Sequence, residues 1–322
     1  MIEKVFPKLY KIEIPLPENP LKTLNSYIIK DRDRNLVIDA GLNLKICENV
    51  MRLSLRELNV DLMNTDFFIT HLHPDHLDLV STLATDISKI YFNMPDAIDI
   101  GLSNHWDEDI RFSAEITGFP ENIIPEVIEK YSGDKYDGWN PEFTILKEGD
   151  TISIGSFLFN CIETPGHTKG HMCLYESDKK IMIVGDHILN DITPNISLWS
   201  YENNPLNDYL KSLDRIYEFN IEAVFPGHRN SFRDCKTRIK ELKSHHEMRS
   251  KEVLSILEEG EKDAFQIASK MKWDLKYDLW ELFPAAQKLF ATTETIAHLK
   301  YLEEKRYVKK QKNGKKFVFS IK

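Results

Sequence analysis

The chain has 322 residues, 42 % hydrophobic and 29 % charged, with a formal net charge of −9. These proportions are ordinary for folded domains and exclude collagenous, low-complexity and wholly disordered chains. No apolar run approaches the ~18 residues of a membrane helix, and residues 1–22 mix apolar residues with Lys, Glu and Pro where a secretory leader would be uniformly apolar. A cytoplasmic protein without a membrane partner is expected.

Strand-like and helix-like segments alternate over the first 230 residues. Residues 8–16, 24–29 and 36–41 read as strands, and Asn43 is placed to cap a helix reaching about Leu58. Residues 66–70 form an apolar strand that stops at a dense histidine cluster. Residues 95–133 read as a helical insertion, interrupted at Gly118-Phe119-Pro120 and at Pro125. Strand character returns at 143–146, 151–162, 171–175 and 181–184, followed by an amphipathic helix over 208–219 and a strand over 223–225.

Beyond Asp234 the texture changes. Residues 235–259 read as one long helix stopped by Gly260, residues 264–271 as a helix capped by Asp263, and residues 286–305 as a third. A hairpin over 307–321 has Asn313-Gly314 at its turn. This order is the outline of a winged-helix module, which divides the chain into 1–234 and 235–322. Residues 237–322 carry 19 Lys/Arg against 13 Asp/Glu, leaving −15 on the rest, and residues 305–322 hold eight basic residues and no acid. That asymmetry admits nucleic acid as a partner. Packing on the first domain, or a homodimer contact through Phe283, Leu289 and Ile296, is the preferred role. The four cysteines, Cys47, Cys161, Cys173 and Cys235, form no close pair and suggest neither disulfides nor a thiolate zinc site.

Chemistry concentrates at strand ends. His71-Leu-His73-Pro-Asp75-His76 offers four metal ligands in six residues, more than core packing explains, since buried imidazoles and carboxylates need partners. Pro74 favours a bend that lets them converge. Three further candidates follow strands through Pro or Gly turns: His167, Asp186 and His228. Five imidazoles and two carboxylates suit a pair of borderline divalent ions; zinc is the default, and iron or manganese fits the same donors.

With these residues in this order, the sequence resembles the metallo-β-lactamase superfamily, in its glyoxalase II-like and thioesterase-like branch with a carboxy-terminal winged helix. The His-x-His-x-Asp-His motif stands as His71, His73, Asp75 and His76, and the later single ligands as His167, Asp186 and His228. Asp39, in Val37-Ile-Asp-Ala-Gly41, matches the aspartate that supports the ligand loop. The resemblance implies an α/β fold, a four-layer αββα sandwich with metals at one edge. It implies His71, His73 and His167 on a first ion, Asp75, His76 and His228 on a second, and Asp186 bridging them. His171 is assigned to the surroundings of the ligands. Two ions about 3.5–4 Å apart would hold a bridging hydroxide at neutral pH, with Asp75 and Asp186 as the catalytic carboxylates.

Asp78 stands where the family often has Gly, as an added charge or as the cap of a helix over 79–85. His73 stands where oxygen-reducing relatives have Glu, which argues against redox use. Trp106, Asn190 and Trp199 are the candidate substrate-pocket residues, with the insertion acting as a lid or as an extra packed layer. The expected function is hydrolysis of a small ester, thioester or lactone. The alternatives are a nuclease that uses the basic tail and a non-enzymatic, ligand-sensing DNA-binding regulator.

Overall fold

Short apolar segments separated by tight turns build the first sheet. β1 (Ile2–Phe6), β2 (Leu9–Pro15), β3 (Thr23–Ile29) and β4 (Asn35–Ile38) form an antiparallel meander. Pairing then becomes parallel through β5 (Thr65–Phe68), β6 (Ile90–Asn93) and β7 (Phe143–Leu146). Helices make these crossovers: α1 (Lys45–Glu57), then α2 (Pro74–Leu77) and α3 (Val80–Leu83), then α4 (Met94–Gly101), α5 (Trp106–Thr117) and α6 (Ile124–Tyr131). The computed structural model describes residues 1–101, 106–131, 141–198, 200–274 and 276–322.

The second sheet contains β8 (Thr151–Ile154), β9 (Phe157–Glu163), β10 (Met172–Glu176), β11 (Ile181–Gly185) and β12 (Ala223–Pro226), in the order β12-β11-β10-β9-β8. Only β11 and β12 pair in parallel there, with α7 (Pro205–Tyr217) between them in the chain. The two-residue period of a strand sends successive side chains to opposite faces. Tyr27, Ile29, Leu36, Ile38 and Phe68 of the first sheet therefore share one apolar cluster with Phe157, Phe159, Leu174, Ile183 and Phe225 of the second. Ile12, Ile28, Val37 and Phe67 face the other way, onto Cys47, Met51 and Leu55 of α1. Cys173, Met182, Val184 and Val224 are buried on the far side of the second sheet. Burial on all four faces is what a four-layer αββα sandwich requires.

The chain divides into two compact units. One comprises Met1–Gly101, Lys135–Pro194 and Asp214–Ile239; the other comprises Leu102–Asp134, Asn195–Leu213 and Lys240–Lys322. The second unit is built from α5 and α6 together with α8 (Cys235–Leu257) beyond Ile239, α9 (Ala264–Ala268), α10 (Ala285–Glu304) and the hairpin β13 (Val308–Asn313) and β14 (Lys316–Ile321). Its core joins Val253, Ile267, Ile296, Leu299 and Phe319 with Ile116 of α5. A neighbouring cluster joins Ile110, Phe119, Ile124 and Val127 with Ala285 and Leu289 of α10. Most apolar residues of the insertion are thus spent on packing within this unit. Among the described residues no helix is long and apolar enough to cross a membrane.

Several local expectations change. Leu44, not Asn43, precedes α1; the Asn43 side chain instead accepts from the Thr82 hydroxyl at 2.9 Å. Asp78 does not cap α3, which Leu79 precedes without a side-chain cap; it is the C-cap residue of α2, its N–H donating to the Pro74 carbonyl. Residues 151–162 form two strands, because Gly155 at φ +55° turns the chain into a hairpin. Pro125 does not break α6: it lies in the first turn, where its missing N–H costs nothing. In the last hairpin Asn313 pairs with Lys316, so Gly314 and Lys315 make the turn and only Gly314 needs positive φ.

Candidate metal centre

Strand direction explains where the ligand-type residues gather. In the first sheet β4 and β5 run parallel. In the second, β9 and β11 are both antiparallel to β10, and β12 is parallel to β11. Asp39 follows β4, His71–His76 follow β5, His167 follows β9, Asp186 follows β11 and His228 follows β12. Every one lies beyond the C-terminal end of its strand. Pro74 opens α2 at its first position while His73 stays extended, and this change of conformation turns Asp75 and His76 onto the line of His71 and His73.

Three overlapping groups result: His71, His73 and His167; His71, His76 and Asp186; Asp75, His76 and His228. His73 Nδ1 stands 3.0 Å from both His71 Nε2 and His167 Nε2. Asp186 faces both sides, with Oδ2 3.8 Å from His167 Nε2 and 3.4 Å from His228 Nε2, and Oδ1 3.6 Å from His76 Nε2. Asp75 Oδ2 lies 3.4 Å from His228 Nε2. Gly227 permits this crowding, because a Cβ there would stand 2.6 Å from Asp186 Oδ1.

Hydrogen bonds outside the cluster set which imidazole nitrogens face inward. His228 Nδ1 lies 2.8 Å from the Thr23 carbonyl, which can only accept, so Nδ1 carries the proton. His76 Nδ1 donates to Asp39 Oδ2 at 2.8 Å. Thr70 donates its hydroxyl to the same carboxylate at 2.9 Å and its N–H to Oδ1 at 2.9 Å. That leaves the Thr70 oxygen to accept from His71 Nδ1 at 3.0 Å. Nε2 of all three rings is therefore turned inward, where it offers a lone pair whenever the ring is neutral. His171 lies outside the three groups: its Nε2 accepts the Asp186 N–H at 3.2 Å, and its Nδ1 donates to Thr164 Oγ1 at 2.7 Å. The hydroxyls of Thr70 and Thr164 and the Thr23 carbonyl were not legible in the sequence. A threonine just before the motif was the only available sign of Thr70.

Burial and the neighbouring imidazoles push His71 well below the usual imidazole range and His73 down to about 3. Burial raises carboxylates, but His76 and His228 outweigh it, holding Asp75 at about 2 and Asp186 far below its ordinary range. Burial also opposes charge on His76 and His228, yet the facing aspartates raise both, His228 strongly. Two ionised carboxylates in a buried pocket thus demand positive charge.

A divalent cation fits this donor set. His76 Nε2 and His228 Nε2 are buried without a hydrogen-bond partner among the described residues, an arrangement that costs free energy unless a proton or a cation takes the lone pairs. Nitrogens at ~2.0–2.1 Å from one tetrahedral zinc would stand about 3.3 Å apart, close to the spacing observed here. Of the candidate pocket residues, Asn190 is partly buried and outside the three groups. Trp199 and the side chain of Trp106 lie outside the described residues.

A mixed α/β sandwich that gathers imidazoles and carboxylates beyond its strand ends is the build of a metal-dependent hydrolase. Residues 22–228 match the metallo-beta-lactamase superfamily, and the chain belongs to it. It is similar to the probable metallo-hydrolase YqjP of Bacillus subtilis, 27 % identical over a 303-position alignment that covers 86 % of each chain. It is also similar to the acyl-coenzyme A thioesterase MBLAC2 of Gallus gallus, 26 % identical over 65 % of this chain and 73 % of that one. Among solved structures, a metallo-beta-lactamase family protein from Thermus thermophilus superimposes with a TM-score of 0.82 at 25 % identity, covering 99 % of this chain and all of the other. The protein is a metallo-hydrolase of this superfamily.

Proposed function

We propose that the chain hydrolyses a small acyl substrate, a thioester before an ester or lactone, at a centre of two divalent ions. Asp186 carries this proposal: its Oδ2 lies near both His167 and His228, while its Oδ1 faces His76. His71, His73 and His167 would hold the first ion, Asp75, His76 and His228 the second, and Asp186 would lie on both. Such ions supply Lewis acidity and bring the pKa of water to about 7; zinc suits the donors, and iron or manganese would also bind.

The protein's own part is orientation and proton handling. Asp39 and the Thr23 carbonyl keep the protons of His76 and His228 on Nδ1, away from the centre. His171 anchors the Asp186 backbone. Asp75, the least buried of the carboxylates, is placed to take a proton at Oδ2 and pass it to the leaving group. The thioesterase relative supports the substrate class.

For the C-terminal elements, of winged-helix order, we propose a packing role. Lys315 pairs with Glu115 at 2.8 Å and Lys316 with Asp263 at 2.6 Å, while the Lys310 ammonium sits 3.6 Å from the centre of the Tyr201 ring. Part of the basic charge of this segment thus has partners within the protein, although Lys315 remains largely exposed.

The test joins metal analysis of the purified protein to a panel of acyl thioesters, esters, lactones and phosphodiesters. Two ions per chain and thioester turnover are expected, with activity lost in Asp186→Ala and His73→Ala while circular dichroism stays unchanged. Full turnover by either variant would overturn the proposal, as would a preference for phosphodiesters.

A further inference from the structure

Asp96 lies in the first turn of α4, outside every ligand motif, yet its buried carboxylate reaches two ligand loops at once. Oδ2 accepts the Leu72 N–H at 2.9 Å and the Thr168 hydroxyl at 2.8 Å, and Oδ1 accepts the Gly170 N–H at 2.6 Å. Leu72 lies between His71 and His73, and Thr168 directly follows His167. Three donors from two loops that are distant in sequence thus meet on one side chain. Those loops carry the three imidazoles whose inward nitrogens crowd to 3.0 Å.

The approach is built into the backbone. A Cβ on Gly170 would stand 2.7 Å from the Asp96 carboxyl carbon and from the Asp96 backbone nitrogen, so the loop can lie against α4 only with glycine there. Lys169 of the same loop adds a surface ion pair to Asp99, one helical turn further along α4, at 3.1 Å. His228 is held differently, by the Thr23 carbonyl on its ring.

We infer that Asp96 is a positioning residue for the first ion site, a carboxylate clamp that sets the separation of His167 from His71 and His73. This rests on the metal-binding role proposed for those three residues. A carboxylate can do this because it accepts at both oxygens; an amide would turn an N–H toward at least one of the three donors. An aspartate that fixes the loops and touches no ion acts on affinity and coordination geometry. A residue important only for general stability would instead lower the melting temperature of the metal-free protein without changing how the ion is held.

The experiment uses the full chain, metal-stripped and titrated with zinc against a chromophoric chelator, with cobalt substituted in parallel for its visible spectrum. Asp96→Asn and Thr168→Val are expected to weaken one of the two binding steps by ~10-fold or more and to alter the cobalt spectrum. Thr168→Ser keeps the hydroxyl and should restore both. The second binding step should stay near wild type. If Asp96→Asn fails to fold, the Val/Ser pair at 168 decides alone. Wild-type affinity and spectrum in Thr168→Val, or in a folded Asp96→Asn, would overturn the clamp. A wild-type protein that takes up no zinc would instead sink the proposed metal centre.

Discussion

At the scale of single residues, the centre is arranged by protons held away from it. The Thr23 carbonyl and the Asp39 carboxylate each fix an imidazole by its outer nitrogen, so the inner nitrogen can face nothing but the cluster. Asp39 does so from a left-handed backbone at φ +55°, a conformation that aspartate tolerates better than most residues. A different buried acid governs the second unit. Glu294, inside α10, accepts from the Asn195 amide at 2.9 Å, and burial raises it to about 7 despite Arg249. Its unfolded value is 4.5, so the folded state binds the proton more tightly. The stabilisation is therefore fully present below pH 4.5 and is lost as pH rises through about 7. Glu294→Gln should melt above wild type at pH 8, and this advantage should vanish at pH 4.5–5. Equal differences in melting temperature at both pH values would contradict the assignment.

Among elements, the strand ends were the most legible part of the chain. The strings around His71, His167, Asp186 and His228 are local, and each joins an apolar run to a Pro or Gly turn, so a strand and its terminus can be read together. Caps were less legible. Asn43 has the right chemistry for a helix start, but its side chain is taken by Thr82 from another segment, a tertiary competitor invisible in sequence. Asp263 behaves as its neighbourhood suggests: it accepts from Gln266 N at 2.8 Å, and its own N–H donates to the Gln266 side chain at 3.0 Å, completing a capping box before α9. Its other oxygen holds Lys316. Asp263→Ala should cost about 1–2 kcal/mol, read as a lower denaturation midpoint, whereas Lys316→Ala should cost less because that ion pair is partly exposed. A larger loss from the lysine change would show that the ion pair, and not the cap, dominates.

For the whole molecule, metal binding and stability should be linked. A group of buried donors assembled only in the folded state makes any bound ion a folding ligand, worth ~2.7 kcal/mol at a free concentration one hundred times Kd. Chelation should lower the melting temperature and restored zinc should raise it again, while a chelated Asp186→Ala protein should hardly respond. Identical melting curves with and without chelator would contradict the linkage. The two compact units interleave along the chain, and residues 102–134 and 195–213 cluster with the C-terminal helices. The apolar residues of the insertion suited a lid or an extra packed layer equally, because sequence reports hydrophobicity without naming the surface that buries it. In the fold, Ile110, Phe119 and Ile124 meet α10, more than 150 residues further along the chain.

The amino-acid sequence alone determined the family, the seven ligand-type residues and the alternation of strands and helices, since each is written in short contiguous patterns. The resemblance implies Asp186 between the two sets of imidazoles, but only the tertiary structure decided which of its oxygens faces which ring, which nitrogens point inward, and that Asp96 joins two of the loops. These depend on hydrogen bonds and packing between segments tens to hundreds of residues apart, whose free energy exists only once both sheets have closed on each other.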